Sequence, residues 1–387
     1  MMNLFFPIAA ALAAFASVSA QAAVSDCPLR DLPFSVDAPM MDLALSPAAR
    51  ATIDRLEPDL LRRMPERMVS TQAPAFSAIM SLRKLGGMGA LTTERVAALD
   101  EALRRLPVTA ADREARCARY DDAPVKLSVA PAPVKILLFE KMTGFRDGPS
   151  VEAAKAAFLD IAGRNGWTIV PTDKAGALTP AQLRRFDLVI WNNISGDVLP
   201  LRQRGVLRRY IDGGGGFLAV HGSGGDPTYW WDWYADTLIG ARFIGHPADP
   251  QFQDARIVME ANPAGIGATL APGWTMSDEW YSFAASPRAS GARVVATLDE
   301  ATYTPVGRGG QKLAMGSDHP IAWQRCLGSG RSFYSAIGHR PEVYSDLRHR
   351  RLLADAIRWA AGKGDTVCRA GKQVANPHPT TQARTIP

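Results

Sequence analysis

Four short apolar runs, each stopping at polar residues, limit what this chain can fold into more than any other feature. Val134 to Phe139 is followed by Glu140 and Lys141, and Asp187 to Trp191 by Asn192 and Asn193. Gly215 to Val220 leads straight into His221, and Arg331 to Ile337 passes through Gly338 into His339. Continuous runs of this length suit strands covered on both faces. Between them lie helical signals. Ser150 to Ala162 carries Val151, Ala154, Ala157, Phe158 and Ile161 on one face, and Leu201 to Ile211 is amphipathic and closes in the glycine run Gly213 to Gly216. Trp167 to Val170 supplies a further strand. Strand and helix alternating in this way predict a doubly wound, mostly parallel α/β sheet. In such sheets ligands bind beyond the carboxyl ends of the strands. Parallel pairing would bring Glu140, Lys141, Asn192, His221 and His339 to one rim.

The glycine run reads as a helix cap and tight turn. It enters a strand rather than a helix, and no Gly-Lys-Ser/Thr follows, so a phosphate loop is disfavoured. At 387 residues, 47% hydrophobic and 21% charged, the chain is long enough for two globular domains. Its formal charge of +6 is scattered through helical stretches such as Leu60 to Arg67 and Leu103 to Leu106. Nucleic-acid binding would need a basic stripe interleaved with stacking aromatics, so no nucleic-acid partner is expected.

Residues 1–23 read as a secretory signal. Leu4 to Ala20 is uncharged and apolar and ends in Val18-Ser19-Ala20 and Ala20-Gln21-Ala22, both small-residue cleavage patterns, although the start lacks Lys or Arg. No other segment is apolar enough to span a membrane. A periplasmic or secreted location follows, and four cysteines agree with it. Of the three connectivities, the simplest staples Cys27 to Cys117 and Cys326 to Cys368. Residues 24–130 read as a helical domain, with helices expected over Pro47 to Met64, Ala75 to Leu85 and Thr92 to Leu106, and Ser46 and Thr92 as N-caps. The α/β domain covers 134–362, and 363–387 is a tail rich in Pro, Thr and Gln.

Residues Val134 to Gly362 resemble the ThuA-like, or trehalose-utilisation, family. The resemblance rests on Lys141 with Thr143-Gly144-Phe145-Arg146, on Ser195-Gly196-Asp197-Val198-Leu199, and on Gly214-Gly215-Gly216-Phe217 leading to His221. It continues through Trp231-Asp232-Trp233-Tyr234, His246-Pro247, Asp278-Glu279-Trp280-Tyr281, Leu298-Asp299-Glu300, Asp318-His319-Pro320-Ile321-Ala322-Trp323 and Gly338-His339. One departure is Asp147, where family members usually carry His. The resemblance implies a flavodoxin-like fold related to class I glutamine amidotransferases. In that fold a nucleophilic cysteine occupies the turn that here holds His221, between Ala219 and Ser223, so glutamine hydrolysis is not expected.

The resemblance also implies chemistry on a small-molecule carbohydrate: acid/base conversion of keto-sugars or glycosides. Catalytic roles are expected for His221, Glu279, His319 and His339, with Glu279 as base and His319 as acid, since reduced hydration in the Trp- and Tyr-rich segment would raise a carboxyl pKa. Adjacent carboxylates on an extended chain face opposite ways, so one of Asp278 and Glu279 should enter the pocket. Tyr229, Trp230, Trp231, Trp233 and Tyr234 crowd six positions. Core packing is the plain reading of each, but together Trp231, Trp233 and Tyr234 are expected to form a sugar-stacking wall. Lys141, Arg146, Asn192, His246 and Asp278 complete the expected substrate-binding set. For His319 the plain alternative is a loop clamp that only packs. His221 and His339 could also bind a divalent, zinc-like metal, although no local H-E-x-x-H motif names one. A non-catalytic carbohydrate-binding protein and a metal-dependent hydrolase of other substrates use the same residues. A homo-oligomer is compatible with each of these readings.

Overall fold

The computed structural model describes residues 24–261, 265–363 and 368. The expected signal sequence and the segment from Gly371 onward lie outside them. A nine-stranded sheet organises the chain from residue 135 on. In chain order the strands are β1 (Lys135–Phe139), β2 (Thr168–Thr172), β3 (Leu188–Asn192), β4 (Gly216–Val220), β5 (Phe243–Gly245), β6 (Gln253–Met259), β7 (Gly273–Asp278), β8 (Ser282–Phe283), β9 (Arg293–Asp299), β10 (Pro320–Leu327) and β11 (Gly330–Ser335). The sheet order is β2-β1-β3-β4-β11-β10-β9-β6-β7, with β5 and β8 forming a separate pair.

The half from β2 to β11 is parallel. The four runs ending at Phe139, Trp191, Val220 and Ile337 are consecutive neighbours, and every residue of β3 and β4 is buried. Helices Gly148–Arg164, Leu201–Asp212 and Leu347–Ala360 cover the faces through Ala154, Phe158, Leu207, Leu353 and Ile357. The last packs so closely that a Cβ on Gly216 would stand 2.2 Å from the Ala360 carbonyl oxygen, so this strand start accepts only glycine.

From β11 onward the pairing is antiparallel. On a flat sheet, four strand steps would set β7 roughly 19 Å from β11 at about 4.8 Å each. Yet the Asp278 carboxylate at the end of β7 accepts from the backbone N–H of Gly338 at 2.6 Å, just beyond β11. The antiparallel half therefore curls back over the carboxyl ends of the parallel strands. Two register irregularities in β10, between Pro320 and Ala322 and between Ala322 and Trp323, supply curvature of the kind bulges give.

Upstream, short helices pack around their own core of Phe34, Met40, Leu43, Ile53, Leu82, Leu99 and Leu103. Ser46 and Thr92 cap helices as expected, accepting from Ala49 and Arg95 N–H. Two of the expected helices are broken. Pro47–Leu56 stops where Pro58 follows and Asp59 takes φ +67°, leaving a separate turn Leu60–Arg63. Ala75 to Leu85 splits into a 3-10 turn, Phe76–Ala78, and a helix, Leu82–Gly87, because the Ser81 side chain caps a new start by accepting from Lys84 N–H. Both disulfides pair as expected: Cys27 with Cys117 and Cys326 with Cys368. Among the described residues no helix is long and apolar enough to cross a membrane.

Candidate functional site

The turn after β4 places His221 at φ +35°, a conformation side chains other than glycine seldom adopt. Its ring stacks on Tyr281 at 4.1 Å, and Nδ1 lies 2.7 Å from the Ala336 carbonyl oxygen. A carbonyl only accepts, so Nδ1 carries a proton. That Nε2 is buried without a hydrogen-bond partner and faces Glu279 Oε2 at 3.4 Å.

Glu279 follows β7 and is almost wholly buried, with imidazoles on three sides. His339 Nδ1 lies 2.9 Å from Oε2 and His246 Nδ1 3.2 Å from Oε1, while the Gln251 side-chain amide also donates to Oε1. Burial works against its charge, yet the imidazoles of His221, His339 and His246 hold the carboxyl well below the usual carboxylate range. The sequence-based expectation was the reverse: desolvation alone would have raised it. Glu279 is thus a fixed anion and a weak base. Burial lowers the affinity of His339 for a proton, but the hydrogen bond and charge of Glu279, with Asp278 and Asp147 beyond, raise its pKa above the ordinary value.

Asp278 and Glu279 take different partners at the same turn. Asp278 is fully buried and accepts from the backbone N–H groups of Gly338, His339 and Arg340, at 2.6, 3.1 and 2.9 Å. Burial raises its pKa, against the charge of His221 and those N–H groups. Its role is to hold the turn that presents His339.

His221, Glu279 and His339 each offer a ligand atom, all within 4.8 Å of one another. An unpartnered imidazole nitrogen facing a carboxylate oxygen in a buried site calls for a positive charge between them, a proton on that nitrogen or a metal ion. Two imidazoles and one carboxylate are a donor set that suits zinc and similar divalent ions. The Nδ1 bond to Ala336 fixes the tautomer that such a ligand needs.

Other expected site residues lie elsewhere. His319 is fully buried, with Nε2 donating to the Tyr281 carbonyl at 2.9 Å and Nδ1 at 2.7 Å from Glu300 Oε1 and 3.0 Å from the Tyr303 hydroxyl. With both nitrogens engaged it clamps the chain just after Glu279 and has no route to act as an acid. Asn192 is buried, donating to Glu140 Oε1 and the Val151 carbonyl. Lys141 pairs with Asp121 at 2.6 Å, and Arg146 with Glu152 at 3.0 Å. The expected sugar wall packs against the protein itself. Tyr234 is buried on Trp191 at 4.8 Å and donates to the Ser223 carbonyl. Trp231 stacks on Tyr234 beneath the Arg204 guanidinium, and Trp233 lies 5.3 Å from Trp231 with Arg208 over its ring. The exposed aromatics near the imidazoles are instead Phe145 and Phe252, with ring centroids 6.4 and 5.2 Å from that of His339. Gln251 and Phe252 escaped notice in the sequence, although Pro247 and Pro250 mark a stiff loop between His246 and β6.

The sequence model of the trehalose-utilisation family, ThuA, matches residues 135–360. The chain belongs to the ThuA family. The match opens at β1 and closes at the end of the helix Leu347–Ala360, so it takes in His221, His246, Glu279 and His339 and leaves out the helical region upstream. A thua-like protein of Bacteroides uniformis ATCC 8492 aligns over 62% of this chain and 97% of its own length, with TM-score 0.51 and 22% identity. Another, from Parabacteroides merdae ATCC 43184, aligns over 60% of this chain and 92% of its own, with TM-score 0.47 and 16% identity. The first likeness supports the ThuA fold. No curated protein matches the chain. In this member all four cysteines are in disulfides.

Proposed function

We propose that this ThuA-family chain is an exported carbohydrate-processing enzyme that converts keto-sugars or glycosides at the His221–Glu279–His339 site. The observation that carries the reading is the buried, unpartnered Nε2 of His221 facing an anionic Glu279 inside a ring of imidazoles. Family membership supports the carbohydrate-related role, and two disulfides are compatible with a periplasmic or secreted setting.

His221, Glu279 and His339 would hold a divalent metal, and such an ion supplies Lewis-acid stabilisation of developing negative charge on oxygen. The base is assigned to His246, whose side chain is about a third exposed. Its Nδ1 lies 2.7 Å from the Pro247 carbonyl, which fixes the proton there and leaves Nε2 with a lone pair. In a 3-keto glycoside the ketone acidifies the C2–H bond. His246 Nε2 takes that proton, the electron pair forms the C1–C2 double bond, and the glycosidic C1–O bond breaks. The departing oxygen gains a proton from water, leaving an enone and a free alcohol. This route needs none of the paired acid and nucleophile carboxylates of ordinary glycosidases.

The test incubates the purified chain with plain and 3-keto disaccharides, with and without chelator, and reads products by mass spectrometry. Cleavage of the keto substrates alone, lost on chelation, is the expected result. Binding without any product would make the protein a carbohydrate-binding protein instead.

A further inference from the structure

Ten large hydrophobic side chains are exposed among the described residues, and eight of them are Leu, Ile, Val or Met. The two aromatic ones, Phe145 at 43% and Phe252 at 39%, meet the same imidazole. Exposed hydrophobics scattered singly are ordinary; two rings converging on one site residue are not scattered. They come from separate places in the chain, the loop after β1 and the loop before β6, with the Arg340 guanidinium 5.8 Å from the Phe252 ring.

The Phe145 loop is held firmly, and partly from outside the family-matched residues. Phe145 N–H donates to Ser195 Oγ at 2.9 Å, and Thr143 and Gly144 N–H to the Ser195 carbonyl at 3.0 and 2.9 Å. From the helical N-terminal region, Ala75 N–H donates to the Thr143 carbonyl at 3.1 Å. A Cβ on Gly144 would stand 2.6 Å from Ile79 Cγ2, so the two segments touch at backbone distance. Phe76 sets its ring edge-on to Phe145, with centroids 6.2 Å apart and planes at 70°.

An aromatic face suits the C–H face of a pyranose, while the imidazoles and Arg340 suit its hydroxyls. We propose that Phe145 and Phe252 are the walls that seat a pyranoside ring beside His339, and that Phe76 is a positioning residue through which the N-terminal helical region sets the Phe145 wall. This rests on the carbohydrate reading above and adds a specificity to it: closed sugar rings are preferred over open-chain polyols carrying the same hydroxyls. It also gives the N-terminal region a part in recognition.

Calorimetric binding of trehalose and of sorbitol to the full chain tests the proposal, with thermal melting of every variant as the control for folding. The wild type is expected to bind trehalose and not sorbitol. Phe145→Ala and Phe252→Ala should each weaken trehalose binding about tenfold at an unchanged melting temperature. Phe76→Ala should weaken it several-fold and Phe76→Tyr, which keeps the ring, should restore it. Wild-type affinity in both wall variants overturns the proposal and leaves the carbohydrate reading standing. Full affinity in Phe76→Ala overturns the positioning role alone. A wild type that binds neither compound overturns the walls, and the carbohydrate reading falls with them only if the keto disaccharides are left uncleaved as well.

Discussion

At the scale of single residues, the site depends on which polar groups are already satisfied. His319 and His221 are both buried imidazoles next to predicted strands, and only their partners separate them. The two nitrogens of His319 are spent on Tyr281, Glu300 and Tyr303, whereas Nε2 of His221 is left bare. His319→Ala should therefore destabilise the fold by about 2–4 kcal/mol, through a cavity and an orphaned Tyr281 carbonyl. Urea unfolding reads this, and an unchanged midpoint with abolished turnover would return His319 to the chemistry. Asp226 offers a pH test at a second buried carboxyl. Its buried carboxyl accepts from Ser195 Oγ at 2.6 Å and Gly196 N–H at 2.7 Å, and burial pushes its pKa from 3.8 up to about 7. The folded chain thus holds a proton there that the unfolded chain releases. The stability this gives is fully present below about pH 4 and declines as pH rises to about 7. Asp226→Asn should flatten that slope in denaturation curves taken across the window; a slope equal to the wild type's would show that other groups produce it.

At the scale of elements, legibility followed burial. The parallel strands β1, β3, β4 and β11 could be read because both faces are covered and their sequences are continuous apolar runs. The antiparallel β6 and β7 mix exposed with buried positions and include Arg256, Thr275 and Asp254, so they resemble loop sequence. Of the site, His221 and His339 could be read because they end strands, and Glu279 because it stands among aromatics. The protonation of Glu279 could not, since it depends on three imidazoles brought in from distant loops. The packing of the expected sugar wall could not be read for a related reason: composition shows that Trp231, Trp233 and Tyr234 are crowded but not that Trp191, Arg204 and Arg208 pack against them. The disulfide between Cys27 and Cys117 spans a sequence separation of 90 and ties the first described residues to the helix Ala110–Cys117. Replacing both cysteines by serine should cost about 2–5 kcal/mol in stability by chemical denaturation. A loss well under 1 kcal/mol would show that the surrounding packing of Val24 and Tyr120 suffices.

At the scale of the molecule, a sheet that changes from parallel to antiparallel curls its far edge onto its own carboxyl rim. That curl carries Asp278 and Glu279 to the turn bearing His339, and brings together groups that lie 58 residues apart between His221 and Glu279 and 60 between Glu279 and His339. The helical region upstream braces the loop on the other side, through Ala75 and Phe76 against Thr143 and Phe145. The site is therefore a property of the whole chain. The most direct measurement is turnover of a 3-keto disaccharide by the wild type and by His221→Ala, followed by mass spectrometry alongside circular dichroism of both proteins. The wild type should release the free sugar, and His221→Ala should release none while keeping the wild-type spectrum. Equal release by the folded variant would contradict the assignment of this site.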